Sequence, residues 1–257
     1  MNITVCVKQI PDQSIPSELL PDSWRLRRAD VNAVLDPGDE YAVEAALKLA
    51  EATGGEVTAV SMGPARADEA LRKALSMGVH KAILVTDDAL EGAAALVTAR
   101  VLAAAIRKSG GTDVVITGTE STDGYTGVVP QALAELLGSS SLTFAKSVET
   151  GGEGITIHRQ TDTGYQIVTA PLPVVVSVTA GANQPRYPSL KGIMGAKSKP
   201  LEHWSLADLG LDGEAVASSQ RVFSVVAAPE KQAGELISDD GTAAGRIVEF
   251  LAQLKVI

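Results

Sequence analysis

"EVTAVSMGPARADEALRKALSMGVHKAILVT", Glu56 to Thr86, holds the pattern that decides the fold. It opens on a β-branched apolar run, "EVTAVSM", passes through a segment of helical spacing, "ARADEALRKALSMG", and returns to a second apolar run, "KAILVT". Neither run alternates apolar with polar, as a half-exposed strand would, so both read as strands buried on two faces. Strand, helix and strand in succession make a crossover unit with parallel strands, whose hand is set by strand twist.

The unit recurs on both sides. Upstream, "ITVCVK" is followed by "DEYAVEAALKLAEATGG", where Ala42, Ala45, Ala46 and Leu49 form one stripe and Gly54 and Gly55 stop the helix. Downstream come "GAAALVTARVLAAAIRKSGG", "DVVITG", "VVPQALAELLG" and "PVVVSVTAG". This predicts the α/β class: a three-layer α/β/α sandwich on a parallel sheet, with Ala-rich helices packed close. From Phe144 to Ala170, "FAKSVET", "GITIHRQ" and "YQIVTA" are separated by Gly-rich turns and predict a small antiparallel excursion. Beyond residue 200 only "AAGRIVEFLAQLKVI" has helical spacing, so 201–257 reads as an extended C-terminal arm that lies on its own domain or on another chain. The expected plan is an α/β domain over 1–182, a loop over 183–200 and that arm.

Composition narrows the function. The chain has 257 residues and a formal charge of -9, so without an extended basic face it is a poor nucleic-acid binder. No apolar run approaches the roughly 20 residues of a membrane span, and direct membrane insertion is not expected. "MNITVCVKQI" reads as a strand rather than an export signal, and a lone cysteine makes no internal disulfide, which together suggest a cytoplasmic setting.

In open parallel sheets ligands bind beyond the C-terminal strand ends, where strand order reverses. The segment after "DVVITG" is the most informative such end: "GTESTDGYTGVVPQ" carries Gly118, Gly124 and Gly127 among small hydroxyl residues ahead of a helix. Free N–H groups at a helix start suit a phosphate, so the loop suggests a nucleotide, with a plain flexible connection as the alternative. No G-x-x-x-x-G-K-[ST] loop occurs, and the first strand-to-helix turn lacks G-x-G-x-x-G. In "VLDPGDEYAVEAA", Asp36 could cap a helix, Pro37 suits its first turn, and Asp39 and Glu40 suit its positive end. Capping alone explains those acids, although the same turn could touch a ribose or phosphate. Cys6, inside a strand, reads as a small hydrophobe. His80, His158 and His203 are scattered, so no metal site or catalytic set is expected.

"NQPRYPSLKGIMGAKSKP", Asn183 to Pro200, sets Arg186, Lys191, Lys197 and Lys199 in an acidic chain without one acid among them. Its prolines argue against a regular element. A basic loop displaying Leu190, Ile193 and Met194 fits binding better than catalysis.

That segment, with its lead "VTAGA", closely resembles the signature of the electron transfer flavoprotein β subunit, roughly N-x-P-R-[YF]-P-x-L-x-x-I-M-x-A-K-x-K. "VCVKQIPD", "LDPGDEYAVEAAL", "VSMGPARADEALRKALSMGVHKA" and "GTESTDGYTGVVPQALAELLG" extend the resemblance almost continuously over residues 1–200. It implies an adenine-nucleotide α-hydrolase-like sandwich and a heterodimer with an α subunit that holds the redox-active FAD, with the C-terminal arm packing on that partner. Electrons would come from acyl-CoA dehydrogenases or similar flavoenzymes and leave for a membrane quinone oxidoreductase, so this chain is expected to be a carrier subunit without catalytic residues. The resemblance further implies a structural AMP, with FAD the alternative. It would be held by Cys6 through its backbone, by Asp36, Pro37, Gly38 and Asp39, by Met62, and by Asp123, Gly124, Tyr125, Thr126, Gly127 and Val128. The first turns of the next helix, Val129, Pro130, Gln131, Ala132, Leu133 and Ala134, complete the set. Docking on the dehydrogenase falls to Asn183, Pro185, Arg186 and Tyr187, with Leu190 entering an apolar pocket, Ile193 and Met194 beside it, and Lys191, Lys197 and Lys199 as steering charges. Here "DGYTGVVPQ" stands where the family commonly has "DDDxNQTGQ", Gly195 replaces a frequent lysine, and Gln160 a frequent glutamate. A nucleotide-binding sensor of the stress-protein type is the competing reading, and it leaves Asn183 to Pro200 without a role.

Overall fold

The computed structural model describes residues 1–257 except 153, 218, 219, 221, 227, 230–233 and 235. Strand β1 (Asn2–Cys6) leads through a small antiparallel pair, β2 (Gln9–Pro11) and β3 (Ala33–Leu35), into helix α1 (Pro37–Thr53) and strand β4 (Glu56–Met62). Helix α2 (Asp68–Met77), β5 (Lys81–Val85), α3 (Ala95–Lys108) and β6 (Val114–Gly118) continue the alternation, and α4 (Val129–Leu137) follows. The antiparallel excursion is β7 (Ser140–Gly151), β8 (Gly154–Thr161) and β9 (Gly164–Pro171), after which β10 (Val174–Val178) returns to the sheet. Helix α5 (Leu190–Ala196), strand β11 (Leu201–Trp204) and helix α6 (Ala243–Gln253) complete the chain.

Among the described residues these strands form a nine-stranded sheet in the order β11-β5-β4-β1-β6-β10-β7-β8-β9. β1 is parallel to both neighbours, with Val5 opposite Ala59 on β4 and Ile116 on β6. The chain builds outward from β1 through β4 to β5 and then crosses to β6, so strand order reverses between β1 and β6. Alternate side chains leave the sheet in opposite directions. Ile3, Val5, Val57, Ala59, Val114 and Ile116 meet the Ala-rich stripes of α1 and α2, whereas Cys6, Val60 and Val115 meet α3 and α4. That double burial is why the strands lack polar alternation, and the result is the three-layer α/β/α sandwich expected from the sequence.

The β2–β3 pair was not expected, nor were two elements beyond residue 183. The prolines of 183–200 do not prevent a helix, because Pro185 and Pro188 precede α5 and Pro200 follows it. Ser189 caps its start, accepting from the Gly192 N–H at 3.0 Å. β11 is short and half polar, yet it pairs in parallel with β5, Leu201 opposite Ala82 and Trp204 opposite Val85.

The chain divides into two compact units, Met1–Val222 and Phe223–Ile257. The first contains the whole sheet. The second contains α6, whose Ile247, Phe250 and Leu254 recur at helical spacing and are exposed. Residues 218, 219, 221, 227, 230–233 and 235 of the expected arm lie outside the described residues.

Candidate functional site

At the reversal between β1 and β6, three segments converge. The first is the turn into α1. Asp36 is fully buried, and its Oδ1 accepts from the Gly38 N–H at 2.9 Å, so it caps α1, with Pro37 in the first turn. The same carboxylate reaches the glycine loop: Oδ2 accepts from the Thr122 N–H at 2.7 Å, and Oδ1 from the Thr122 hydroxyl at 3.0 Å. Asp36 thus caps the helix, as the sequence predicts, and also ties the turn to the glycine loop, which the sequence did not predict.

The second segment is the chain just past β1: Asp39, in the first turn of α1, is also buried, and its Oδ2 accepts from the Lys8 N–H at 2.8 Å. Burial, and then the neighbouring Asp36, push its carboxyl well above the usual carboxylate range, against the opposing bonds from the backbones of Lys8 and Gly118. Gly118 is needed here, because a Cβ on it would stand 2.7 Å from Asp39 Oδ1. α1 is thereby fastened to the ends of both β1 and β6.

The third segment is the loop itself, 119–128. Asp123 is nearly buried at its centre and bonded on both oxygens, to Lys8 Nζ at 2.6 Å and to Arg28 Nε at 2.7 Å. Burial opposes its ionisation, but the two cations outweigh that and hold the carboxyl below its ordinary value. Arg28 is itself steadied by Arg66, whose guanidinium donates to the carbonyl oxygens of Arg28 and Val31. Tyr125 and Gly127 adopt the left-handed region, with φ of 49° and 63°, and turn the chain into α4. Unlike α1, α4 begins without a side-chain cap and with no acid in its first turn. The free N–H groups of an uncapped helix start have the donor chemistry of an anion site.

The sequence-expected residues are distributed unevenly around this crevice. Asp36 to Asp39 and Asp123 to Val128 are brought together. Cys6 ends β1 with its thiol buried in the layer facing α3 and α4; burial first, and Asp39 second, push that thiol up to about 12, so it is a neutral filler. Met62 ends the adjacent strand and packs against the same layer. Val129 and Pro130 open α4, and Gln131 and Ala132 follow, but Leu133 and Ala134 are buried in the core and hold the helix to the sheet with their side chains. Lys8 and Arg28 were missed. Lys8 was discoverable as the first basic residue past a central strand, whereas Arg28 meets Asp123 across 95 residues and leaves no local signal.

The second feature of this unit is α5. Leu190 and Met194 stand one turn apart, 82% and 76% exposed, with Ile193 half exposed beside them. Tyr187 is 91% exposed just before the helix. The basic residues around them divide. Lys191 and Lys197 are exposed and make no ion pair among the described residues. Arg186 is engaged by Glu44 and Glu51 on α1, and the Lys199 ammonium turns inward to the carbonyl oxygens of Leu75 and Val79. Lys199 is therefore not the steering charge expected from the sequence: burial depresses its pKa and its donors are spent on backbone. Asn183 Nδ2 donates to the Tyr41 carbonyl at 2.9 Å and Pro185 is partly buried, so the start of the segment is moored to α1.

The chain is similar to known proteins along its whole length. Residues 23–209 match the family model described as electron transfer flavoprotein domain. The chain is 42% identical to the electron transfer flavoprotein subunit beta of Mycobacterium leprae and 41% identical to that of Mycobacterium tuberculosis, each over all of this chain and 99% of the relative. It is 35% identical to the caffeyl-CoA reductase-Etf complex subunit CarD of Acetobacterium woodii, over the full length of both.

Proposed function

Because the chain belongs to the electron transfer flavoprotein family, as a β subunit, we propose that it pairs with an α subunit holding FAD and serves as the docking platform of that electron carrier. In this reading α5 selects the electron donor, an acyl-CoA dehydrogenase or similar flavoenzyme, and the reduced complex passes its electrons to a membrane quinone oxidoreductase. Redox chemistry comes from the flavin of the α subunit, and this chain binds, orients and displays. No helix among the described residues is long and apolar enough to cross a membrane, and we place the complex in the cytoplasm.

The observation that carries the proposal is the display of Leu190 and Met194 on a short helix moored to the domain. A small apolar tip in a polar, basic rim is the composition of a transient interface centre. Lys191 and Lys197 would speed encounter with an acidic patch on the donor. The crevice has a different task. Its uncapped α4 start suits the phosphate of an AMP that joins α1, the glycine loop and α4 into one rigid end of the sheet, with Lys8 and Arg28 bracing the loop through Asp123. The C-terminal arm, with the apolar stripe of α6, supplies surface for the α subunit.

Co-expression with the α subunit is the test. A yellow heterodimer with one FAD, releasing AMP on denaturation, is expected, whereas release of a second FAD would reassign the crevice. A colourless homodimer that hydrolyses ATP would overturn the assignment in favour of a nucleotide sensor. Leu190→Ala should raise the KM of the dehydrogenase for the complex by roughly tenfold or more, the cost of an interface anchor of about 2 kcal/mol, with flavin content unchanged.

A further inference from the structure

Seven residues make too short a helix to persist alone in water, since nucleation is costly and isolated helices are marginal below roughly 12–15 residues. α5 also carries Gly192 and Gly195, each unfavourable in a helix by nearly 1 kcal/mol relative to Ala. Something outside the helix holds it. The contacts that do so form a reciprocal pair with α2. Arg72, on α2, donates from Nη1 to the carbonyl oxygen of Ala196 at 2.6 Å and to that of Lys199 at 3.1 Å, which satisfies the C-terminal end of α5. Lys199, just past α5, donates from Nζ to the carbonyl oxygens of Leu75 at 2.9 Å and Val79 at 2.6 Å, which satisfies the C-terminal end of α2. Each helix thus receives its C-terminal cation from the other, where orphan carbonyls and the negative dipole end favour one. Gly192 lets the two come together, because a Cβ there would run into the carbonyl oxygen of Ser76.

We propose that Arg72 and Lys199 are positioning residues for donor recognition: by capping α2 and α5 reciprocally they keep α5 helical in the unbound protein, so that Leu190 and Met194 are presented together before a donor arrives. This rests on the reading of α5 as the docking element. Neither residue touches the donor. Their removal lowers the fraction of protein in the binding-competent form, and apparent affinity falls by that fraction.

The experiment uses the αβ complex and an acyl-CoA dehydrogenase purified from the same organism. Lys199→Met and Arg72→Met keep the aliphatic stems and remove the donors, and two variants guard against one failing to fold. Each should raise KM for the complex by about tenfold, if α5 is then formed about a tenth of the time, and speed amide exchange of residues 193–196 in the free complex by about tenfold or more. The kcat and flavin content should not change. In a Leu190→Ala background, Lys199→Met should still raise KM, because Met194 also needs the helix and the loss of binding-competent protein multiplies whatever affinity remains. Unchanged exchange in both variants, or faster exchange with KM unaltered, overturns the proposal. If Leu190→Ala alone leaves KM unaltered, the docking reading fails instead, and the exchange measurement still decides whether the caps hold the helix.

Discussion

Arg186 Nε donates to Glu44 Oε2 at 2.7 Å, joining residues that lie 142 positions apart in sequence. Nη2 reaches Glu44 Oε1 at 3.1 Å, making the pair two-pronged, while Nη1 reaches Glu51 Oε1 at 2.6 Å. Glu44 is nearly buried on α1, so its charge is tolerable only while the guanidinium covers it. A lysine is a point charge that cannot span both carboxylates. Arg186→Lys should therefore destabilise the complex by about 1–3 kcal/mol, the range for charge-assisted hydrogen bonds lost at a buried partner. Urea unfolding measures this, and a change within error would mean that Glu44 finds another partner.

Acid should loosen the crevice in a way that Asp123 controls. Its carboxyl lies below the ordinary value of 3.8 in the folded state, because Lys8 and Arg28 outweigh burial. The unfolded chain therefore takes up the proton first, so the stabilisation is complete above 3.8 and disappears as pH falls through the depressed folded value. Stability measured between pH 5 and pH 2 should fall less steeply in Asp123→Asn than in the parent. Equal slopes would show that the two ion pairs contribute nothing to folding.

Gly118→Ala tests the join between strand and helix. The added methyl would crowd Asp39 Oδ1 at 2.7 Å, and Asp39 is held there by the Lys8 N–H, so it cannot swing aside freely. Overpacking of this kind costs about 1–3 kcal/mol. The nucleotide proposed for the crevice should be depleted as well, which mass analysis of the released ligand would register. Full nucleotide content with lowered stability would place the ligand away from this junction.

The parallel layers were legible because burial on both faces leaves continuous apolar runs such as "VVITG" and "VVVSV", and because alanines mark where α1 and α3 press on the sheet. α5 was hidden by its own composition. Prolines before it and glycines within it are helix-breaking signals, and only the close approach to Ser76 and the caps from α2 reverse their meaning. β11 was hidden because an edge strand needs only four residues and keeps Glu202 and His203 exposed; its place is set by β5 and by the 2.8 Å contact of His203 with Asp68. The glycine loop and the Asp36 turn were legible from position alone. Arg28 and Glu44 were not, since each finds its partner 95 or more residues away in the chain.

β11 closes one margin of the sheet. Without Leu201 to Trp204, β5 would present an unpaired row of backbone donors and acceptors, the kind of open margin on which foreign strands nucleate. The residues that leave the docking helix are the ones that seal this margin, ending it with a short strand bearing a glutamate and a histidine. The segment proposed for recognition and the strand that covers the margin thus share one continuous piece of chain, and a truncation at residue 200 would remove a guard rail rather than an appendage.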